Sequence, residues 1–359
     1  MRAAAASGDS RPPHVLVVDD SAVVRQALTS ILSSAGMEVE VAPDPIFAMA
    51  KIRRRRPDAL VLDIEMPKMD GITFLRFVMA EEEPIPALIC SSVAGQGTSA
   101  ALQALELGAV GIVTKPSLGV KGFLLDSAEQ LVEAVRGAAN ARVRQRMAVE
   151  PRHDMSEVIP PYAASPVATT TSKVIAVGAS TGGTEALREF LERIPPGAPG
   201  IAVVQHMPEV FTGAFARRLD ELCQIEVKEA EPGDRVCAGR ALIARGNNHL
   251  AVRRSGAHYL VDLVEGPPVS RHRPSVDVLF RSVAQAAGPN AVGVILTGMG
   301  DDGAQGLLEM RQAGAHTIAQ DQATCVVFGM PKEAIALGAA CEVLPLPDIA
   351  QAVLERAHE

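Results

Sequence analysis

Several short β-branched runs in this chain end in polar residues of complementary chemistry. HVLVVD closes on Asp19 and Asp20, DALVLD on Asp63, IPALICS on Ser91, and VGIVTK on Lys115. In an open parallel sheet, ligands collect at the carboxyl ends of the strands. Three carboxylates gathered at one such edge repel each other. A hard cation such as Mg²⁺ relieves that repulsion, since it takes oxygen ligands and leaves room for a phosphate. A central Asp could then attack a phosphoryl group, with a Lys neutralising charge and a Ser hydroxyl donating to the new oxygens. Singly, each residue has an ordinary reading. Asp20-Ser21 could cap a helix, Lys115 could be a solvated strand end, and Asp63 before Met66-Pro67 could be turn chemistry. Together they are far less ordinary.

A second set lies downstream. KVIAVGAS runs into Gly178-Ala179-Ser180-Thr181-Gly182-Gly183, which contains G-x-S-x-G. Small flanking residues allow a sharp strand-to-helix turn that exposes the Ser hydroxyl, and the helix start offers N–H groups where an oxyanion would form. A phosphate-binding glycine loop is the competing reading. GIAVVQH ends in His206, on the strand after the Ser-bearing unit, so the two side chains are candidates for neighbouring strand ends. His249 is a rival base, and His272, in RHRPSVD, suits a substrate-facing loop. AVGVILTG leads into Gly298-Met299-Gly300-Asp301-Asp302-Gly303. That string also matches a dinucleotide fingerprint, but two adjacent carboxylates would repel a pyrophosphate. An Asp that orients a His is the better use, and spacing alone does not choose between Asp301 and Asp302. The order Ser, His, Asp differs from that of α/β-hydrolases; a triad is defined by geometry, not order.

The elements around these residues read as two α/β blocks. At roughly 150 residues per domain, 359 residues correspond to about two domains. The first half alternates strand-like runs with helical stretches such as Ala22 to Gly36, whose Val23, Val24, Ala27, Leu28, Ile31 and Leu32 share one face. Its last helix is expected from about Gly122 to Arg146. From Val149 to Ser172 Pro, Ser, Thr and Ala dominate with no period, as in a linker. The second block adds the strands ALIARG, HYLVDLV and AVGVILTG, helices near residues 185–193, 276–287, 303–313 and 331–337, and a hairpin excursion within 225–265.

Composition narrows the classes. Lys plus Arg number 34 against 42 Asp plus Glu, a net charge of −8, which argues against a nucleic-acid-coating role. The dense basic run Arg53 to Arg56 reads as a solvated helix face. Aromatic residues are only 3%, which suits a parallel-sheet core of aliphatic side chains and not stacking on single strands. The five Cys never form C-x-x-C, so neither a disulfide framework nor a zinc site is expected. No run approaches the roughly 18 apolar residues of a membrane span. Residues 1–13 lack the apolar core of a signal peptide. The expectation is a cytoplasmic protein without membrane insertion.

The first set, with VVDDS, LVLDIEMPKMDG, the strand-end Ser and TKP, resembles the response-regulator receiver domain over about residues 13–140. The resemblance implies Asp63 as phospho-acceptor, Mg²⁺ held by Asp19, Asp20 and Asp63, and Ser91 and Lys115 as the phosphate-switch pair. Ser91 stands where many receivers have Thr. VGASTGG, VVQHMP, RHRPSVDVLF, ILTGMGDDGA and VFGMPKEA are similar to the catalytic domain of the CheB family of chemotaxis protein-glutamate methylesterases over about residues 173–357, with a linker at 141–172. This implies two doubly wound α/β domains, a flavodoxin-like receiver and a Rossmann-like methylesterase. It implies Ser180 as nucleophile, His206 as base, Asp302 as acid, and Thr181, Met299 and His272 as oxyanion or substrate groups. The implied reaction is hydrolysis of glutamate γ-methyl esters, and deamidation of glutamines, on the cytoplasmic helices of chemoreceptors. Phosphate would come from a chemotaxis histidine kinase, no cofactor would be needed in the catalytic domain, and the unphosphorylated receiver would cover the active site. A receiver joined to a nucleotide- or DNA-binding output module is the rival from another class. The acidic charge and the Asp301-Asp302 loop count against it.

Overall fold

The computed structural model describes residues 11–67, 69–92, 97–116, 123–143 and 173–358. The first unit contains β1 (His14–Val18), α1 (Ala22–Ser34), β2 (Glu38–Ala42), α2 (Pro45–Arg54), β3 (Ala59–Leu62), α3 (Gly71–Met79), β4 (Ala87–Ser91), α4 (Gly97–Glu106), β5 (Gly111–Thr114) and α5 (Phe123–Ala139). Its five strands are parallel in the order β2-β1-β3-β4-β5, the flavodoxin-like doubly wound order. Local chemistry starts the helices. Ser21 caps α1, Asp44 caps α2 ahead of Pro45, and Asp70 caps α3, each side chain accepting from a backbone N–H of the first turn. Arg53 to Arg56 are exposed, with Arg54 and Arg55 paired to Glu40 and Glu38. The last helix ends at Ala139 rather than near Arg146, where the backbone N–H of Asn140 still bonds back to Arg136. Most of the expected linker, residues 144–172, lies outside the described residues.

The second unit contains β6 (Val174–Ala179), α6 (Gly183–Leu191), β7 (Gly200–Gln205), α7 (Glu209–Leu222), β8 (Glu226–Glu229), β9 (Arg235–Val236), β10 (Arg240–Ile243), β11 (His249–Ser255), β12 (His258–Val264), α8 (Val276–Ala287), β13 (Ala291–Ile295), α9 (Ala304–Gln312), β14 (His316–Gln320), α10 (Met330–Ala336), β15 (Glu342–Leu344) and α11 (Leu346–His358). Seven parallel strands run β15-β14-β13-β6-β7-β10-β8. The chain leaves β6 for β7 on one side and later returns to β13 on the other. A crevice therefore opens at the carboxyl ends of β6 and β13, the switch point of a doubly wound sheet.

The hairpin excursion expected within 225–265 is present, whereas α7, β14 and β15 were not read from the sequence. HYLVDLV forms β12, which is not in the parallel sheet. It pairs antiparallel with β11 and β9 in a separate three-stranded sheet, the hairpin excursion. α7 went unforeseen because Pro208 gives its start no side-chain cap, although Phe211, Phe215, Ala216 and Leu219 bury one face. β15, the edge strand of three residues, and β14 beside it are too short to show a period.

The two units touch. The Gly182 N–H donates to the Val110 carbonyl at 2.9 Å, the Arg142 N–H to the Val326 carbonyl at 2.9 Å, and Arg218 of α7 pairs with Glu106 of α4 at 2.6 Å. One apolar cluster includes residues of both.

Gly178, the first glycine of G-x-S-x-G, is required by packing: a Cβ there would run into the Val276 side chain at the start of α8. We expect Gly178→Val to lower stability by about 1–3 kcal/mol through overpacking, read as a shift in urea midpoint. An unchanged midpoint would mean that α8 does not bear on β6.

Candidate active site

Ser180 is the first residue beyond β6 and His206 the first beyond β7. These strands are parallel neighbours with Ala179 opposite Gln205, so Ser180 and His206 face each other across strands spaced about 4.8 Å apart. The corner is held from several sides. Ser180 N–H donates to the Thr297 carbonyl at 3.0 Å, His206 N–H to the Ala179 carbonyl at 3.1 Å, and Gln205 Nε2 to the Ser180 carbonyl at 2.9 Å. Gly182 sits at φ +76°, the left-handed turn that lets α6 begin directly behind Ser180.

His206 Nε2 lies 2.8 Å from Asp302 Oδ2. Asp302 is 1% exposed and acts only as an acceptor: from Ser275 Oγ at 2.7 Å, and from the backbone N–H groups of Val276 at 2.8 Å and Asp277 at 3.1 Å. Those two N–H groups are the first of α8, where the helix dipole favours an anion. Burial alone would push this carboxyl up. The hydrogen bond and charge of His206, with the Ser275 hydroxyl, hold it below the ordinary range. An ionised Asp302 must accept from Nε2–H, which leaves Nδ1 as the basic nitrogen of His206. Nδ1 is buried and has no hydrogen-bond partner. Ser180 Oγ makes no hydrogen bond to His206 among the described residues; such contacts commonly tighten only when substrate binds. Both side chains line one cavity of about 410 Å³, together with Thr181, His272 and Met299.

His272 stacks on His206, with ring centroids 3.6 Å apart and planes 4° from parallel. Its Nδ1–H donates to the Ser270 carbonyl at 2.7 Å. Burial, with the neighbouring His206, holds its pKa down to about 3, so it stays neutral and does not set a second cation against the base. Of the two adjacent carboxylates only Asp302 reaches His206. Asp301 is 64% exposed and pairs with Arg271 at 3.0 Å. His249 is buried elsewhere, with both ring nitrogens engaged: Nε2 donates to the Pro267 carbonyl at 3.0 Å and Nδ1 accepts from Ser275 N–H at 3.2 Å. Ser275 was not foreseen as a site residue. Its signal was the cap position ahead of the apolar stripe of α8.

In the first unit, carboxylate oxygens of Asp19, Asp20 and Asp63 all lie within 4.8 Å of one another. Lys115 Nζ stands 3.0 Å from Asp19 and 2.6 Å from Asp63. Burial pushes the Asp63 carboxyl up, and Lys115 opposes it. Two buried carboxylates and one exposed, all offering oxygen, make a donor set that fits a hard divalent cation. Ser91 is buried at the end of β4; among the described residues its hydroxyl is directed to the Ser92 carbonyl at 3.3 Å, and its own carbonyl receives the Lys115 N–H.

Residues 175–353 match the CheB methylesterase family and residues 15–121 the response regulator receiver domain. A protein-glutamate methylesterase/protein-glutamine glutaminase of Anaeromyxobacter dehalogenans is 62% identical over 95% of this chain and 98% of its own. One of Xanthomonas campestris pv. campestris is 56% identical over 94% of this chain and 99% of its own. The crystal structure of the Thermotoga maritima CheB methylesterase catalytic domain superposes with a TM-score of 0.51 at 39% identity, covering 52% of this chain and 98% of that one. With its receiver in front and its Ser, His and Asp at three strand ends, the chain belongs to the CheB family of protein-glutamate methylesterases/protein-glutamine glutaminases.

Proposed function

We propose that the protein is a response regulator, with a receiver at 13–140, a linker at 141–172 and a serine hydrolase domain at 173–357, that demethylates glutamate γ-methyl esters and deamidates glutamines on chemoreceptor helices. The observation that carries the hydrolase reading is the buried His206–Asp302 pair beside Ser180. His206 Nδ1 takes the proton of Ser180, whose Oγ attacks the ester carbonyl. Methanol leaves with the proton, and water then releases the glutamate by the reverse path. Asp302 fixes the tautomer and stabilises the imidazolium. The start of α6 turns N–H groups and the positive end of its dipole to the region where oxyanion charge develops, beside Thr181 and Met299.

The same start of α6 is where the receiver bears on the hydrolase. Val110 holds the Gly182 N–H, and it immediately precedes β5, whose far end leads to Lys115. Asp63 is the acceptor of phosphate from a histidine kinase. Asp19, Asp20 and Asp63 would hold Mg²⁺, which supplies charge neutralisation for the incoming phosphoryl group. A phosphoryl group brings about −1.5 to −2 charge and strong acceptors, enough to redirect Lys115 and Ser91. With a strand this short between Lys115 and Val110, that rearrangement loosens the receiver from the mouth of the site. Among the described residues, no helix is long and apolar enough to cross a membrane.

Methanol release from methylated receptor helices tests the chemistry. Ser180→Ala and His206→Ala should each lose several orders of magnitude, whereas His249→Ala should retain most of the rate if it folds. A Ser180→Ala variant keeping a tenth of the wild-type rate would remove the nucleophile.

Asp302→Asn should cost orders of magnitude by favouring the wrong tautomer, and Asp301→Asn much less; equal losses would contradict the assignment. A small phosphodonor with Mg²⁺ should activate the wild type and leave Asp63→Asn low. Activation that survives Asp63→Asn would move the phospho-acceptor elsewhere.

A further inference from the structure

α5 has two working faces. Leu131, Val135 and Ala138 enter the receiver core. Gln130, Glu133, Ala134 and Gly137 form the adjoining stripe, which turns toward the hydrolase. Glu133 is the acid on that stripe. Its side chain is only 14% exposed and lines the same cavity as Ser180, His206, His272 and Met299. Oε2 lies 3.4 Å from Arg271 Nε and 3.9 Å from His272 Nε2, and has no hydrogen-bond partner among the described residues. Oε1 is against Gly300, where a Cβ would stand 2.6 Å from it. One turn further, Gly137 lets the helix come close, since a Cβ there would meet Thr181 Oγ1 at 2.8 Å and Met299 at 3.3 Å.

A carboxylate is a costly choice for a helix that merely covers a cleft. Burial raises its pKa, and Asp301 and Asp302 stand nearby. An apolar residue would cover the same area without that cost. The proposed reaction, however, turns a glutamyl side chain on a helix into a free carboxyl. Glu133 is such a carboxyl, on a helix, in that cavity. We propose that Glu133 is a built-in product: it occupies the subsite that takes the glutamyl side chain of the substrate helix, with Arg271 at its carboxyl end, so that α5 and the receptor helix compete for one position. This proposal rests on the hydrolase reading of the site.

The Glu133→Gln variant of the full chain tests it directly, because it converts a bound product into a bound amide substrate. Ser180 Oγ would add to the carbonyl carbon of the introduced amide. The C–N bond breaks and ammonia leaves with the proton held by His206. Water then cleaves the acyl-enzyme, so that the side-chain amide and water become the Glu133 carboxyl and ammonia. Mass spectrometry of the α5 peptide should show the amide-to-acid conversion growing with time. Its rate should be independent of protein concentration, and Ser180→Ala in the same chain should abolish it. The same preparation is assayed on a receptor-helix peptide bearing glutamine.

If the peptide is deamidated while the amide introduced on α5 persists, the product position is wrong and the hydrolase reading stands. If neither amide is cleaved, that reading falls and the proposal with it. Independently, Glu133→Ala should raise methanol release by the unphosphorylated protein roughly tenfold, the equivalent of one lost docking contact. A rate that does not change would also overturn the proposal.

Discussion

The site depends on one buried carboxylate. Asp302 is removed from water, and it is tolerated as an anion only because Ser275, the first two N–H groups of α8 and His206 all donate to it. Each donor is thereby fixed in turn. The Ser275 hydroxyl is also the N-cap of α8, Val276 packs over Gly178 of the Ser180 turn, and Nε2 of His206 is committed, which frees Nδ1. Removing the carboxylate would therefore unsettle the helix start, the turn and the base together. The stacked, neutral His272 closes the remaining face of the imidazole and leaves the cavity side open.

The parallel sheets and the residues at their strand ends were legible in the sequence because both signals are local. A β-branched run followed by a polar residue gives the strand and the polar group at its end at once, as for Asp63, Ser180 and His206. The choice between Asp301 and Asp302 was not local. It turns on which carboxylate meets the start of α8 and His206, and those contacts come from segments far apart in the chain. His249 was a fair rival by sequence; its burial against Pro267 and Ser275 is a tertiary fact. Glu133 carried no signal, since an acid on an amphipathic helix normally faces water. HYLVDLV reads as a strand inside the hairpin excursion, but alternation identifies a strand and not its partners, which are β11 and β9.

The route from the acidic cluster to the hydrolase is short. β5 is bracketed by Val110, whose carbonyl takes an N–H from the start of α6, and by Lys115, which bridges Asp19 and Asp63. A change in charge at one end of a four-residue strand has little chain in which to dissipate before it reaches the other. Coupling of this kind needs a two-state element, and the interface between the units is the element on which the proposed gating relies.

The contacts between the units combine two backbone hydrogen bonds, the Arg218–Glu106 and Arg271–Glu133 pairs and the close approach of Gly137 to Thr181 with an apolar cluster that includes residues of both. Within one polypeptide the partner is always present, so docking of the two units is an intramolecular event that dilution does not reverse. Reversing a population from 1:99 to 99:1 takes about 5.5 kcal/mol. Under the proposed gating, the phosphoryl group on Asp63 must supply a bias of that order for the latch to open.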